Sequence, residues 1–291
     1  MYFEKAASLD ANRPELHLLV AQAFFQTGDL QNTLTALKKG ESSGSSLPSY
    51  YLFRGGVALQ LSLYEEAWAT FNMGYQLFPK EPVFLKELSV VMARAGLFAT
   101  AAEYGDAYMK EAPHDVEGIV VIAHALLQNH QSVTAARILE GAVNTHPDNL
   151  ELLASLAASY GQADKPLSAA RILSRAAILN NSYAFDAAQY FIAAGKWREA
   201  MNMNLLVEKH PEKMSQRLRI FFQQGNFSRV TMMGAEMDKD EKRTDEDLYC
   251  LVYAWAQLGN VEFAASIAKQ IKEKKKHNLA MEILKTISQN Q

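Results

Sequence analysis

The sequence predicts an all-α fold, an α-solenoid of about eight antiparallel helix pairs. Three recurrences predict it. Short breaks between amphipathic patterns fall at Gly28, Ser62, Gly96, His130, Asp164, Gly195, Gly225 and Gly259; the first four spacings are 34 residues and the next three are 31, 30 and 34. Pro79, Pro113 and Pro147 repeat on the same 34-residue period. Small residues recur in fixed slots: Ala21, Gly55, Ser89, Ala123, Ala157 and Ala188 before the breaks, and Ala67, Ala101, Ala135, Ala169, Ala200 and Ala264 after them, with Thr33 and Val230 as exceptions. Self-similarity at this period marks stacked helix pairs, each touching only its neighbours. The small slots let paired helices approach, and a larger side chain there would overpack the joint at about 1–3 kcal/mol.

Along the chain, residues 1–11 read as a half repeat, 14–276 as eight repeats and 277–291 as a C-terminal capping helix, all in a single domain. The opening Met1 to Ala6 has the pattern of a second helix without its first, so the chain is expected to be a segment of a longer protein. Glu41 to Ser46, rich in Ser and Gly, is expected to be a flexible loop. The third unit shows the repeat plan: Pro82 at a helix start, Leu85, Leu88 and Met92 on one apolar face, Gly96 as the stop, then Phe98, Ala101 and Ala102 opening the second helix. Ile119, Ile122 and Leu126, then Leu153, Leu156 and Tyr160, repeat it. Phe24, Phe191, Phe221 and Trp255 are expected, with Met92, Leu126 and Tyr160, to fill the holes facing the small slots. The shorter spacings predict that units six and seven each lose about one turn. Glu236 to Asp247 is expected to be an exposed charged loop, and Lys272 with Lys274 to Lys276 a solvated helix end. Leu279 to Ile287 should cover the edge of the last unit.

This plan resembles the tetratricopeptide repeat family, whose period is about 34 residues and whose signature runs W-x2-L-G-x2-Y, A-x3-F, P. The resemblance covers essentially the whole chain and is strongest from Pro48 to Asn181. Tyr51 stands where the family often has an aromatic residue, whereas His17, Leu85, Ile119 and Leu153 depart from it; Arg217 and Leu218 replace the Leu-Gly pair in unit seven. The resemblance implies a right-handed superhelix with first helices lining a concave side. Some members clamp the carboxylate end of chaperones with lysines and asparagines on first helices. The matching positions here are Leu18, Gln22, Leu52, Gly56, Lys86 and Val90, and Lys86 alone cannot form that clamp.

Composition bounds the function. With 49% hydrophobic and 21% charged residues the chain can bury a core. A formal charge of −3 implies no nucleic-acid partner, and no uncharged run approaches the roughly 20 residues of a membrane span. Direct membrane insertion is therefore not expected, and the compartment stays open between cytoplasm and periplasm. Cys250 is the only cysteine, so no intramolecular disulfide forms. No phosphate-cradling loop, HExxH or paired CxxC is present, and the chain is expected to be no enzyme and to hold no cofactor or metal. His124, His130, His146 and His210 read as structural, Cys250 as a small, semi-buried apolar residue, and Asp245, Glu246 and Asp247 as a helix start in preference to a cation site.

One row remains. Two residues before the breaks stand Gln26, Gln60, Arg94, Gln128, Gln162, Gln223 and Gln257, with Ala193 departing; one turn earlier stand Gln22, His124, Gln189, Arg219 and Tyr253, with Val90 between them. Primary amides donate and accept at once, which suits an extended peptide backbone or sugar hydroxyls. Phe185, Phe222, Tyr249 and Phe25 add candidate aromatic anchors. These residues predict a non-enzymatic scaffold holding a protein or peptide in a groove. The alternative is a segment of a bacterial envelope assembly or exopolysaccharide export machine, contacting polysaccharide or its secretion proteins.

Overall fold

The structure is a computed structural model that describes residues 14–240 and 243–289. The expected half repeat 1–11 lies outside the described residues. Those described form eighteen α-helices and one 3-10 turn, with no strand among them. The first unit holds α1 (Pro14–Gln26), α2 (Leu30–Lys39), α3 (Glu41–Gly44), α4 (Pro48–Gln60), α5 (Tyr64–Leu77), α6 (Val83–Arg94), α7 (Phe98–Glu111), α8 (Val116–Gln128), α9 (Ser132–Thr145) and α10 (Leu150–Gln162). The second holds α11 (Pro166–Leu179), α12 (Ala184–Ala193), α13 (Trp197–Leu206), α14 (Lys213–Gln223), α15 (Phe227–Asp240), α16 (Asp245–Gln257), α17 (Val261–Ala268) and α18 (Lys274–Gln289). One compact unit ends at Ala163 and the other begins at Asp164.

All eight break residues have positive φ, and they are the only described residues that do. Five are glycine; Ser62, His130 and Asp164 reach φ of 60°, 60° and 54°. The reason is a shared helix stop. The amide of Leu97 donates to the carbonyl of Met92, that of Gln131 to Leu126, and that of Asn226 to Phe221, while seven of the eight break residues, all but Asp164, donate three residues back. This is the Schellman arrangement, which satisfies the last carbonyls only if the chain turns through the left-handed region. The bulky residues before the breaks are thus the carbonyl acceptors of the stop.

The small slots close the joints as expected. Ala21, Ser89, Ala123, Ala188, Ala67, Ala101, Ala135 and Ala200 are wholly buried. In the first unit Leu88, Ile119, Ile122, Leu126, Ile138, Leu139, Leu152 and Leu153 are also fully enclosed. Each such burial contributes about 1.5–3 kcal/mol. First helices α6, α8 and α10 pack side by side, with α7 and α9 forming the second layer. In the second unit α12, α14 and α16 repeat the first-helix layer, and α18 packs on α16 and α17.

Five expectations change. Glu41 to Ser46 is not a flexible loop: α3 forms there, because Gly44 has no side chain and the Tyr50 ring occupies that space, 2.2 Å from where a Cβ would stand. Glu236 to Asp247 is not an exposed loop: α15 runs to Asp240, Met237 is buried, and Thr244 with Asp247 forms a capping box that starts α16. Asp247 is fully buried because the hydroxyls of Ser215 and Thr244 both donate to its Oδ2, at 2.7 Å each. The lost turns belong mainly to pair six, where α12 and α13 have ten residues each; α14 has 11 and α15 is full length at 14. The capping helix begins at Lys274 and not at 277, since the Asp245 carboxylate accepts the amides of Lys272 and Glu273 and fixes the preceding turn. The lysine run therefore opens α18, and Lys276 lies 3.0 Å from both Glu246 and Glu273.

Candidate functional site: the ends of the first helices

The predicted polar row is the last residue of each first helix. Gln26, Gln60, Arg94, Gln128, Gln162, Gln223 and Gln257 end α1, α4, α6, α8, α10, α14 and α16, and Ala193 ends α12. The Schellman stop explains the placement. It satisfies the terminal carbonyls with backbone donors, so the side chain at this position is free for other contacts. All seven are exposed, and none has a hydrogen-bond or ion-pair partner among the described residues. Since α6, α8 and α10 lie side by side, Arg94, Gln128 and Gln162 share one edge of the first unit.

One turn earlier the row is uneven. His124 is exposed, its Nε2 3.4 Å from the Ser155 hydroxyl. Val90 is buried and offers nothing to a ligand. Gln22 and Gln26 line a cleft of about 580 Å³ with Phe25 and Phe53, whose rings meet edge to face at 5.2 Å.

In the second unit the residues converge differently. Phe222 on α14 meets Tyr253 of α16 at 5.4 Å and Tyr249 at 6.5 Å between centroids. Phe227, which the sequence reading missed, completes the cluster at 5.5 Å from Tyr253. The available signal was its slot, the first residue of a second helix, held by Phe98 and Trp197 elsewhere. Arg219, half-buried, donates its Nε to the Ser215 carbonyl and lies 4.0 Å from Glu212. Gln189 is half-buried on α12. Phe185 does not join the cluster: it stacks on His210 at 3.6 Å beside a polar cleft of about 520 Å³.

The shifted groups owe their shifts to burial and to neighbouring carboxylates. Burial pushes the Cys250 thiol up, so it stays protonated and inert. Burial, then the Glu140 carboxylate, raises the Tyr160 hydroxyl to about 12. The hydrogen bonds that Lys276 donates to Glu246 and Glu273 raise it to about 12. No group of three or more His, Cys, Asp or Glu side chains able to hold a metal exists among the described residues. No described helix is long and apolar enough to cross a membrane.

These features define a class, an all-α solenoid whose first helices present unpaired polar ends. Solved structures similar to it in fold include tetratricopeptide repeat proteins. The Naa15/Naa10 structure bound to HypK-THB matches 94% of this chain, which spans 44% of that chain, with a TM-score of 0.54 at 11% identity. A tetratricopeptide repeat protein from Parabacteroides merdae matches 94% of this chain and 98% of its own, with a TM-score of 0.45 at 13% identity. YrrB, a repeat protein with an unusual peptide-binding site, matches 67% of this chain and 98% of its own, with a TM-score of 0.46 at 16% identity. No family model matches the chain, and no curated protein matches it by sequence.

Proposed function

We propose that the protein is a non-enzymatic scaffold that holds a partner protein or peptide along its first helices. The observation that carries this reading is the set of seven exposed, unpartnered Gln and Arg side chains at equivalent helix ends. A neutral hydrogen bond contributes about 0.5–1.5 kcal/mol net, so several amides must act together on an extended ligand. Gln22, Gln26, Gln60, Arg94, His124, Gln128 and Gln162 supply that row in the first unit. In the second, Gln189, Arg219, Gln223 and Gln257 flank the aromatic anchors Phe222, Tyr249 and Tyr253, with Phe185 beside its own cleft. Their backbone is already ordered, so binding costs mainly side-chain rotamer entropy, about 0.5–1.5 kcal/mol for each side chain immobilised. The same amides fit sugar hydroxyls, so a polysaccharide is the alternative ligand.

The test compares partners retained by the intact chain with those retained by a Gln128→Ala, Arg219→Ala, Phe222→Ala triple variant of equal helicity. Loss of at least one partner class is expected. Identical recovery of every partner would remove these residues from the binding surface.

A further inference from the structure

We propose that His114 and His146 form a two-imidazole site for a divalent zinc-class cation, bridging two successive connections of the first unit. His114 lies between α7 and α8, and His146 ends α9. They are 32 positions apart, yet His114 Nδ1 and His146 Nε2 stand 3.3 Å from each other, the rings crossing at 85°. Zinc–imidazole bonds of about 2.0–2.1 Å at a tetrahedral angle place two ligand nitrogens about 3.3–3.4 Å apart. A square-planar ion would need them nearer, at about 2.9 Å. The observed spacing is the tetrahedral bite.

The second nitrogen of His146 is already oriented. The Thr145 hydroxyl donates to the Ala142 carbonyl at 2.9 Å, so its oxygen accepts from His146 Nδ1–H, also at 2.9 Å. This fixes the tautomer and turns the Nε2 lone pair toward His114. Metal-ligating histidines characteristically donate their other N–H in this way. Without metal, His114 Nδ1–H donates to that lone pair. On binding, this proton relocates through solvent to His114 Nε2, leaving two lone pairs facing the cation with no net change of protonation. His146 precedes Pro147, which keeps its backbone out of the helical region. His114 is exposed and His146 half-exposed, which admits the ion and the waters that complete its shell.

The test is calorimetric titration of the untagged full chain with zinc chloride in a non-coordinating buffer. One zinc per chain is expected, with affinity unchanged in the control His17→Ala. His114→Ala and His146→Ala should each weaken binding at least about tenfold, and Thr145→Val about tenfold through the lost orienting bond. Far-UV helicity should be unaltered, because neither ring is buried. Zinc uptake unchanged in the His114→Ala, His146→Ala double variant, or no uptake by the native chain at millimolar zinc, overturns the site.

Discussion

Two pairs, one from each unit, close their helix joints in different ways. Pair four, in the first, puts Ala123 and Ala135 in the two joint slots; pair seven, in the second, puts Leu218 and Val230 there, and all four are wholly buried. On the other side of pair seven, Gly234 makes room for Leu251 of the next helix, as Gly55 and Gly74 do for Phe71 and Phe84 in the first unit. Buried polar groups differ too. In the first unit they bond within or beside their own hairpin, as the Ser89 hydroxyl does with the Ala101 carbonyl at 2.7 Å. In the second, Asn204 donates to Gln216 Oε1 at 2.9 Å and accepts from Arg217, while Gln216 reaches the Phe185 carbonyl at 3.0 Å. A common period therefore governs where the backbone turns and leaves the filling of each joint to the local neighbours.

The largest expected effect tests that claim directly. Leu218→Ala should destabilise the second unit by about 2–5 kcal/mol through the cavity it leaves, although alanine is the normal occupant of this slot elsewhere. Urea unfolding measures it, and near-wild-type stability would mean that the joint relaxes to the geometry of the first unit. Next, Gln216→Leu should cost about 2–3 kcal/mol by stranding the Phe185 carbonyl and one Asn204 proton. Hydrogen exchange should show lost protection confined to α12–α14. In the opposite direction, Ala123→Leu in the first unit should cost about 1–3 kcal/mol by overpacking. A neutral outcome by thermal melting would make the two kinds of joint interchangeable.

The smallest effect is electrostatic. Asp115 caps α8 by accepting the Gly118 amide at 3.0 Å, and its carboxylate also accepts the Tyr108 hydroxyl. The Tyr108 bond, then the Gly118 amide, holds this carboxyl below its usual range. A depressed folded value means stability present above the unfolded value near 3.9 and lost as pH falls through the folded one. Asp115→Asn keeps the cap but not the charge. It should cost about 0.5–1 kcal/mol at pH 7, a figure kept small because the residue is exposed, and the gap to wild type should close as the pH falls below about 4. A gap that persists at pH 2 would assign the effect to shape and not to charge.

Much of the fold was legible because its stop signal is local. Each Schellman turn is complete within six residues, so Gly96 and Gly195 announce it, and Ser62, His130 and Asp164 reveal it by register. The polar row was equally legible, since its members end helices whose limits the same turn sets. Less was visible where charge or composition misled. Glu236 to Asp247 looked solvated, yet Asp247 is buried because Ser215, 32 residues away, supplies a donor. Glu41 to Ser46 looked flexible, yet Tyr50 packs over Gly44. Phe185 stacks on His210, 25 residues on, a pairing that nothing in the residue order announces.

The amino-acid order alone determined the helical class, the period and the place of each reversal, since these follow from backbone conformation and side-chain size over a few neighbouring residues. Only the tertiary structure decided which distant side chains meet: Phe222 with Tyr253, Ser215 with Asp247, His114 with His146. Such meetings depend on how one hairpin is packed against the next, and a spacing near the repeat length permits contact without specifying which atoms face one another.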